Sequence, residues 1–461
     1  MTAAIARSPG ASPEPITRYH DLLAEGDVAE ASHVMLEDQL RRRNMVFGDR
    51  PLCTVLRPRF FSPERFRWLA ARIARLMTAF HRAHEAALIT PALRAQFRLA
   101  EWEEPLVLAD PGYRAPSPHG RLDCFQVDGT DTLALTEYNA ETPAGAGFND
   151  LLADSFAAIP VMRAFRHEYD VRPVPARQGV ASVILDAWRE FSGRWTGPRV
   201  AIVDWDDVPT RVEFEIFQAY FRSLGLDVVI VDPRAMEYRG GKLYGGGAPV
   251  DLIYKRVLIN ELVEREGVEH AVVRAVRDRA VCMVNPFRCK LLHKKASLAV
   301  LCDERNATLF TAEQREAVRT TIPWTRVVEE RHTVFRDERI DLLPFISEHR
   351  EQLVLKPNDD YGGAGVVLGW TVSDDAWKAA LARAVHQPYI VQERVVIPSE
   401  PYPSYADGRL HIVERMLDTA PFVLPGGGVD GCLTRLSTAA LLNVTAGGGS
   451  TVPVFVVEPR S

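Results

Sequence analysis

The spacing of apolar residues predicts helices in the first part of the chain and a hairpin after them. Within residues 64–88, side chains such as Leu69 and Ile73 recur every three or four positions, which is the pattern of an amphipathic helix. Residues 121–139 instead alternate apolar and polar side chains on both sides of the turn sequence DGTDT. This alternation predicts two strands joined by a turn, and a helix is predicted to follow over residues 148–168.

Residues 198–258 have a different pattern, in which short continuous apolar runs flank an amphipathic segment. PRVAIVDW, VEFEIFQAYFRSLG and LDVVIVDP predict the strand, helix and strand of a βαβ unit with a parallel sheet. VDLIYKRV predicts one more strand after the turn-rich segment GGKLYGGG. No G-x-G-x-x-G follows the first strand, which disfavours a dinucleotide site and hence a dehydrogenase.

The rest of the chain combines helical spacing with short strands. Residues 260–281 and 290–302 are predicted to be helical, and LVLKP, VVLGW, YIVQERV, HIVERML and VPVFVV are predicted strands between glycine-rich loops. A βαβ unit combined with hairpins predicts an α/β (α+β) fold. Four segments are expected, namely a flexible tail (1–20), a helical region with a strand pair (21–195), a Rossmann-like subdomain (196–285) and a C-terminal lobe (286–461).

Composition and charge narrow the class of protein. The chain has 461 residues, 47% hydrophobic and 25% charged, as in ordinary folded proteins. Its formal net charge of −6 disfavours sequence-independent binding to nucleic acid or to an anionic membrane. No apolar stretch approaches the roughly 18 residues of a membrane span. Six scattered cysteines without a C-x-x-C pair, and a start without a signal-peptide pattern, predict reduced thiols and a cytoplasmic location.

A glycine-rich loop lies between two predicted strands near residue 360. Lys356 ends the first strand, Asp360 lies in the loop, and Gly362 and Gly363 follow. Glycines let backbone N–H groups approach a polyphosphate, a lysine offsets the phosphate charge, and a carboxylate can hold Mg²⁺. These residues together favour a nucleotide site; the alternative is a hairpin with a glycine tip and a surface lysine.

The predicted hairpin at residues 121–139 carries a second group of polar residues. Alternation places Arg121 and Asp123 on one face of their strand, and Glu137 and Asn139 on one face of the next. Oxygen ligands suit Mg²⁺, and an arginine suits a phosphate beside it. The alternative is a solvated polar strand face, which we disfavour because apolar Leu135 shares the period of Glu137 and Asn139.

Two other segments could contact a nucleotide. NPFRCKLLHKKA is rich in cations, among them Lys294 and Lys295, and these would suit phosphates or a solvated helix face. Gln392 and Glu393 end a segment that is predicted to be a buried strand, and Val395 follows in a polar connection. A hinge of this kind can present backbone groups to the edge of an adenine.

The C-terminal region has an arginine, Arg435, in a strand-like segment that precedes the glycine run 447–449. A flexible loop of this kind could close over a charged substrate, or simply form a tight turn. The candidate site consists of Arg, Lys, acidic residues and glycine loops rather than a Cys/His or Ser/His pair, which favours chemistry that depends on charge and positioning.

Taken in this order, the motifs resemble those of ATP-grasp ligases with circularly permuted topology. The match comprises R-L-D-x-F, L-T-E-Y-N-A-E-T-P, K-K-A, L-K-P-N-D-D-Y-G-G and Y-I-V-Q-E, over roughly residues 120–450. The relatives are the synthetase half of glutathionylspermidine synthase and, more distantly, eukaryotic glutathione synthetase. The resemblance implies an ATP-grasp fold whose C-terminal lobe binds nucleotide. Residues 144–149 differ from the substrate-bordering loop of those enzymes, so binding of glutathione or spermidine is not carried over.

The resemblance also implies roles for individual residues. Two Mg²⁺ ions would be held by an acid and an E-x-N pair, and an acid in the glycine loop would complete the metal site. Lysines on the K-A helix and before the glycine loop would contact ATP phosphates. The implied residues are Asp123, Glu137, Asn139 and Asp360 for metal; Lys295 or Lys294, Lys356, Gly362, Gly363, Gln392, Glu393 and Val395 for ATP; and Arg121 and Arg435 for the reacting phosphate or substrate.

The activity implied is that of an ATP- and Mg²⁺-dependent carboxylate–amine ligase. A substrate carboxylate attacks the γ-phosphate of ATP, which gives an acyl phosphate and ADP, and an amine then displaces phosphate to form an amide. Expected substrates are small molecules such as a peptide, an amino acid or a polyamine, and a homodimer is left open. The alternatives are a phosphotransferase that stops at a phosphorylated product, and a catalytically silent nucleotide-binding scaffold.

Overall fold

The structure is a computed structural model that describes residues 13–47, 50–127, 131–360, 362–438 and 449–460. Helices and strands alternate along these ranges. The α-helices are α1 (Pro13–Leu23), α2 (Val28–Arg42), α3 (Pro63–Ile89), α4 (Pro91–Arg94), α5 (Glu103–Leu108), α6 (Ala146–Ala158), α7 (Pro160–Phe165), α8 (Arg177–Ser192), α9 (Arg211–Ser223), α10 (Ile259–Glu266), α11 (Ala271–Arg277), α12 (Lys290–His293), α13 (Ala296–Cys302), α14 (Ala312–Thr321), α15 (Leu342–Glu348) and α16 (Asp374–His386).

The strands form three larger sheets and several small ones. They are β1 (Val46–Phe47), β2 (Arg50–Pro51), β3 (Arg59–Phe61), β4 (Gly120–Val127), β5 (Thr132–Asn139), β6 (Tyr169–Pro173), β7 (Val200–Val203), β8 (Val228–Val231), β9 (Glu237–Arg239), β10 (Lys242–Gly245), β11 (Ala248–Pro249), β12 (Leu252–Lys255), β13 (Cys282–Val284), β14 (Thr325–Val327), β15 (His332–Phe335), β16 (Glu338–Asp341), β17 (Leu353–Pro357), β18 (Val367–Leu368), β19 (Tyr389–Glu393), β20 (Ser399–Ala406), β21 (Arg409–Leu417), β22 (Ala420–Val423), β23 (Val429–Ser437) and β24 (Ser450–Pro459).

The largest sheet contains the predicted hairpin and the C-terminal strands. Its order is β20-β21-β23-β22-β4-β5, and β24 pairs with β23, β3 and β6. The hairpin prediction is confirmed, and the helix predicted over residues 64–88 is α3. That helix begins after Ser62, whose side chain accepts a hydrogen bond from the backbone N–H of Arg65. Its buried face, including Leu69 and Ile73, packs in one core with apolar residues of β4 and β5.

The predicted βαβ unit is present as a four-stranded parallel sheet of order β13-β12-β7-β8. The fourth strand, β13, was not predicted because only three residues take part in it. The turn-rich segment between β8 and β12 is itself a small antiparallel sheet of order β11-β10-β9. The parallel strands are apolar because helices cover the sheet.

A second antiparallel sheet of order β14-β19-β17-β18 follows. Its core includes Trp377 of α16, which is fully buried, together with Leu342 and Ile346 of α15 and Leu355 of β17. This sheet faces the large sheet, and the side chain of Lys356 reaches from β17 to the backbone of β5. The space between the two sheets is where the candidate site lies.

Four predictions about helices or the N-terminal tail need correction, and two of them concern residues 260–281 and 290–302, each of which contains two short helices, α10 with α11 and α12 with α13. Residues 13–20 do not belong to a flexible tail, because α1 buries Tyr19 completely and the Tyr19 hydroxyl donates to the carbonyl of Leu56 at 3.0 Å; residues 1–12 lie outside the described ranges. The helix predicted over residues 148–168 is two helices. The break is at Ile159, because Pro160 lacks an N–H and begins α7.

The predicted strand VVLGW is shorter than its apolar run. Only Val367 and Leu368 pair with β17, and a 3₁₀ turn follows over Gly369–Thr371. The Cβ of any other residue at Gly369 would lie 1.9 Å from the carbonyl oxygen of Arg350. A close approach of two backbones therefore ends the strand.

All six cysteines are free thiols, and five of them are buried. Among the described residues, no helix is both long enough and apolar enough to cross a membrane.

Candidate nucleotide and metal site

The candidate site is a cavity between the large sheet and the sheet that contains β17 and β19. Its volume is about 1030 Å³ when the open space at its mouth is included. Strands β4, β5 and β23 contribute one side, β17, β18 and β19 contribute the other, and the glycine-rich loop borders it. Most of the predicted site residues line this cavity, namely Asp123, Glu137, Lys295, Lys356, Asp360, Gly362, Gly363, Gln392, Glu393, Val395 and Arg435.

The hairpin brings its four polar residues to one face. In the β4–β5 register Arg121 lies opposite Asn139, and Asp123 lies opposite Glu137. Directly opposed side chains are about 5 Å apart at Cβ. The two carboxylates therefore lie close together at the edge of the cavity, as the alternation predicts.

A β-bulge beside this pair corrects one part of the prediction. Cys124 lies opposite Leu135, so Thr136 is an extra residue on β5. Leu135 therefore does not share a face with Glu137; it is fully buried in the core on the other side. The bulge leaves the carbonyl of Thr136 free to accept from the ammonium of Lys356 at 3.1 Å.

Asp123 is held between two arginines. The guanidinium of Arg121 donates to both carboxylate oxygens, at 2.8 and 3.1 Å, and Arg435 donates to Oδ2 at 2.7 Å. Burial by itself would raise the pKa of Asp123, but the charges of Arg121 and Arg435 hold it well below the usual range. Asp123 is thus an ionised carboxylate, as a metal ligand must be.

Arg435 has a second acidic partner that sequence reasoning missed. Asp418 accepts from the Arg435 guanidinium and from its backbone N–H, each at 2.6 Å. Burial raises the pKa of Asp418, and Arg435 opposes that rise. Asp418 therefore fixes the orientation of Arg435. It directly follows the end of β21, in a segment that belongs to none of the predicted motifs.

Two lysines and Glu137 form the rest of the charged lining of the cavity. Lys295 lies 3.1 Å from Glu137 Oε1, and Lys356 donates to the Gln392 side chain at 2.7 Å. Burial would raise the pKa of Glu137, but Lys295 and Lys356 lower it overall. Burial, with Lys295 nearby, lowers the pKa of Lys356 to about 8. Lys356 lacks a carboxylate at ion-pair distance among the described residues, so an anion in the cavity would meet a poorly compensated ammonium.

We refer to Arg121, Asp123, Glu137, Lys295, Lys356 and Arg435 as the cavity cluster. The glycine-rich loop lies beside it. Lys295 donates to the backbone carbonyl of Asp360 at 2.5 Å. Gly365 has a φ of +66°, and a Cβ there would lie 2.6 Å from the ring of Pro357, so only glycine fits this turn.

Part of the cavity lining is apolar, and sequence reasoning did not single out its residues. Val354, Leu368, Trp370 and Ile397 line it. The guanidinium of Arg394 lies 4.1 Å from the Trp370 ring centre and holds that ring by a cation–π contact. The alternation of Leu368 and Trp370 was the signal that could have placed both on the cavity side.

Three predicted residues do not line the cavity. Arg121 lies behind Asp123, and its Nη1 donates to the carbonyl of Ala144 at 2.7 Å. Asn139 is partly buried, and its amide nitrogen has no hydrogen-bond partner among the described residues. Lys294 points away from the cavity and donates to Asp359 at 2.9 Å.

The donor set fits Mg²⁺ only together with a ligand. Among the described residues, no group of three or more His, Cys, Asp or Glu side chains is placed to hold a metal ion. Asp123 and Glu137 are nevertheless two ionised carboxylates on one face, and Asn139, whose amide oxygen is a possible ligand, lies on the same face. Mg²⁺ is commonly bound by one or two carboxylates plus substrate phosphates and water. The residues therefore suit a metal ion that arrives with a phosphate.

Comparison with known proteins shows which solved structure the fold of this chain is similar to. No protein-family model matches the chain, and no curated protein matches it by sequence. The chain is similar to a solved glutathione synthetase-like effector from Globodera pallida, in its apo form, with a TM-score of 0.55 and 14% identity. The match covers 98% of this chain and 97% of that one. The protein therefore has a glutathione synthetase-like fold. This likeness extends over the whole length and concerns the fold alone.

Proposed function

We propose that the protein is an ATP- and Mg²⁺-dependent ligase of the ATP-grasp type, which joins a small carboxylate substrate to an amine through an acyl phosphate. The observation that carries the proposal is that one cavity between two sheets collects residues from five separate motifs. The glutathione synthetase-like fold supports a ligase. The motif order supports the circularly permuted topology.

The apolar and the charged parts of the cavity lining suit the base and the phosphates of ATP. Val354, Leu368 and Trp370 offer an apolar wall for a base, and the backbone from Glu393 to Val395 runs beside it. Lys295 and Lys356 belong to the charged part, where they can offset the charge of phosphates. Lys295 is the better candidate of the two adjacent lysines, because Lys294 is engaged outside the cavity.

Asp123, Glu137 and Asn139 would hold Mg²⁺. When bound, the ion would supply positive charge at the phosphate oxygens and restrict their orientation. The protein's own part is to keep these carboxylates ionised, and the surrounding cations do so by lowering the pKa of Asp123 and Glu137.

The reaction needs positioned charge rather than a nucleophile from the protein. Attack of the substrate carboxylate on the γ-phosphate breaks the bond to the β-phosphate oxygen, and ADP leaves with that electron pair. Arg435 lines the cavity beside Asp123 and can stabilise the negative charge that builds up on the transferred phosphoryl oxygens, whereas Arg121 holds Asp123 from behind and adds positive charge there. The amine then attacks the acyl phosphate, loses a proton, and releases inorganic phosphate with the amide.

The test is substrate-dependent formation of ADP by the purified protein with pools of small carboxylates and amines. Phosphate and amide should appear in equal amounts, and Glu137→Gln should abolish both. Glu338→Gln, on an exposed strand away from the cavity, is the matched control and should be fully active. A stable phosphorylated product without amide would point to a phosphotransferase. Calorimetry on the wild-type protein and on Lys356→Ala measures Mg²⁺-dependent ATP binding. If neither protein binds ATP, the remaining interpretation is a catalytically silent scaffold protein.

A further inference from the structure

Behind the glycine-rich loop lies a set of charged residues that the proposed site does not use. They come from three of the motifs and from two other elements. We call them the buried charge network: three lysines and three carboxylates, namely Lys255, Lys290, Lys294, Glu103, Glu141 and Asp359.

The network is a continuous chain of ion pairs. Lys290 donates to both oxygens of Asp359, at 2.7 and 2.8 Å, and lies 3.1 Å from Glu141. Lys294 donates to Asp359 at 2.9 Å and lies 2.9 Å from Glu103. Glu141 continues the chain to Lys255, at 3.0 Å, at the carboxyl end of β12. Lys290 and Lys294 thus share Asp359, and they also share the more distant Glu103.

Almost all of the network is closed to solvent. The side chains of Lys290 and Glu141 are 1% and 0% exposed, whereas Asp359 is 21% exposed and forms the end nearest the cavity. Burial would raise the pKa of Asp359, but Lys290 and Lys294 hold it below its usual range. Burial would lower the pKa of Lys290, but Glu141 and Asp359 raise it overall. The central His293 is neutral, because burial lowers its pKa to about 4.

Asp359 stands where β17 turns into the glycine-rich loop. The residue before it, Asn358, accepts from the backbone N–H of Lys295 at 2.9 Å, and its side chain accepts from that of Ala296 at 2.8 Å. The residue after it, Asp360, accepts from the Lys295 ammonium. The same short segment therefore contacts the α12–α13 junction through its backbone and through two side chains.

We propose that Asp359, gripped by Lys290 and Lys294, is a positioning residue that sets the glycine-rich loop against Lys295. Lys294 acts through Asp359 rather than on a bound phosphate. The effect of these Asp359 contacts on ATP binding rests on the proposed function, but their effect on the position of the loop does not. Glycines with φ of +66° and +81° at Gly362 and Gly363 give the loop wide conformational freedom, so an anchor at its start limits how far it can move.

The first experiment is amide hydrogen exchange on the full chain without nucleotide. Asp359→Asn should speed exchange at least tenfold in peptides that cover Asn358–Asp360 and Gly362–Val366, with little change elsewhere. Asp303→Asn is the matched control, because Asp303 is also buried between two cations, Arg305 and Arg331, away from the loop. Unchanged loop exchange in Asp359→Asn, or an equal rise in both variants, would overturn the proposal.

The second experiment separates Lys294 as an anchor from Lys294 as a phosphate ligand. If it is an anchor, Lys294→Gln should speed loop exchange and weaken ATP binding together, in the same direction as Asp359→Asn. Weaker ATP binding with unchanged loop exchange would show a direct phosphate contact and overturn the assignment. If wild type binds no ATP, the proposed function fails. The exchange data on both variants then still decide whether Asp359 positions the glycine-rich loop.

Discussion

Two groups of charged residues, built from neighbouring positions in the same motifs, differ in what surrounds them. In the cavity cluster, Glu137 and Arg435 are 24% and 28% exposed, whereas Asp123 and Lys295 are only 7% and 5% exposed, but all four line an open space. In the buried charge network, Lys290 and Glu141 are sealed among charges of the opposite sign. Glu137 and Glu141 are only four residues apart, and Lys294 and Lys295 are adjacent.

A charged motif residue can therefore serve a ligand or serve the fold, and what separates the two roles is whether the side chain faces the cavity, not how exposed it is. A buried ion costs several kcal/mol to desolvate, so it needs fixed partners inside the protein. A charge at the wall of a cavity keeps part of its hydration and can exchange it for a ligand. Changes in the network should therefore affect stability first, and changes in the cavity cluster should affect binding and turnover first.

The largest expected effect comes from Lys290→Met. This change removes the cation that buried Glu141 shares with partly exposed Asp359, and loss of one partner from a buried ion pair costs about 3–5 kcal/mol of unfolding free energy. Chemical denaturation should measure it, and Lys378→Met, at an exposed position on α16, should be nearly neutral. Equal stability of the two variants would erase the distinction between network and cavity cluster.

The next largest effect concerns activity rather than stability. Arg121→Met removes a cation that flanks Asp123, and we expect a loss of roughly 10²–10³-fold in kcat for ADP formation. The free energy of unfolding, measured in parallel, should fall less than in Lys290→Met. A variant that keeps wild-type turnover would remove Arg121 from the proposed site.

An intermediate effect follows from the pKa of Lys356, which burial lowers to about 8. Bound phosphate favours the protonated lysine, so ATP affinity should be constant below pH 8. Above pH 8 it should fall by up to roughly tenfold per pH unit, since one proton must be taken up. Calorimetry between pH 7 and 9.5 checks this. Lys356→Arg stays charged and should bind without that decline; the same decline in the variant would assign the titration elsewhere.

The smallest effect is expected at Glu393. Its carboxylate pairs with Arg336 at 2.7 Å, and the arginine is 69% exposed. Exposed pairs contribute roughly 0.2–1 kcal/mol, so Arg336→Ala should change KM for ATP less than threefold. A tenfold change would mean that the Glu393 side chain, and not only the backbone beside it, takes part in binding.

Part of the candidate site was predictable because strands have a strict period of two. Arg121, Asp123, Glu137 and Asn139 meet on one face, as their spacing predicts. The bulge at Thr136 was not predictable, because it is a property of how β5 pairs with β4. The residues of β5 alone do not show that one of them is left without an opposite residue. The metal, nucleotide and phosphate roles of these residues stay predictions.

The choice between adjacent lysines shows the same limit. Lys294 and Lys295 are equivalent in the sequence, but α12 ends before the first and α13 begins after the second. This break turns Lys294 toward Asp359 and Lys295 toward Glu137. Neither partner is within forty residues in sequence, so no local pattern could assign them.

The sequence by itself determined the elements with a clear period: α3, the β4–β5 hairpin, the βαβ unit and the glycine-rich loop. It also determined which residue types could carry chemistry. Only the tertiary structure decided which of those charges face a cavity and which are sealed behind the loop. The physical reason is that enclosure and charge compensation depend on partners from distant strands and helices, such as Asp418 for Arg435 and Asp359 for Lys290.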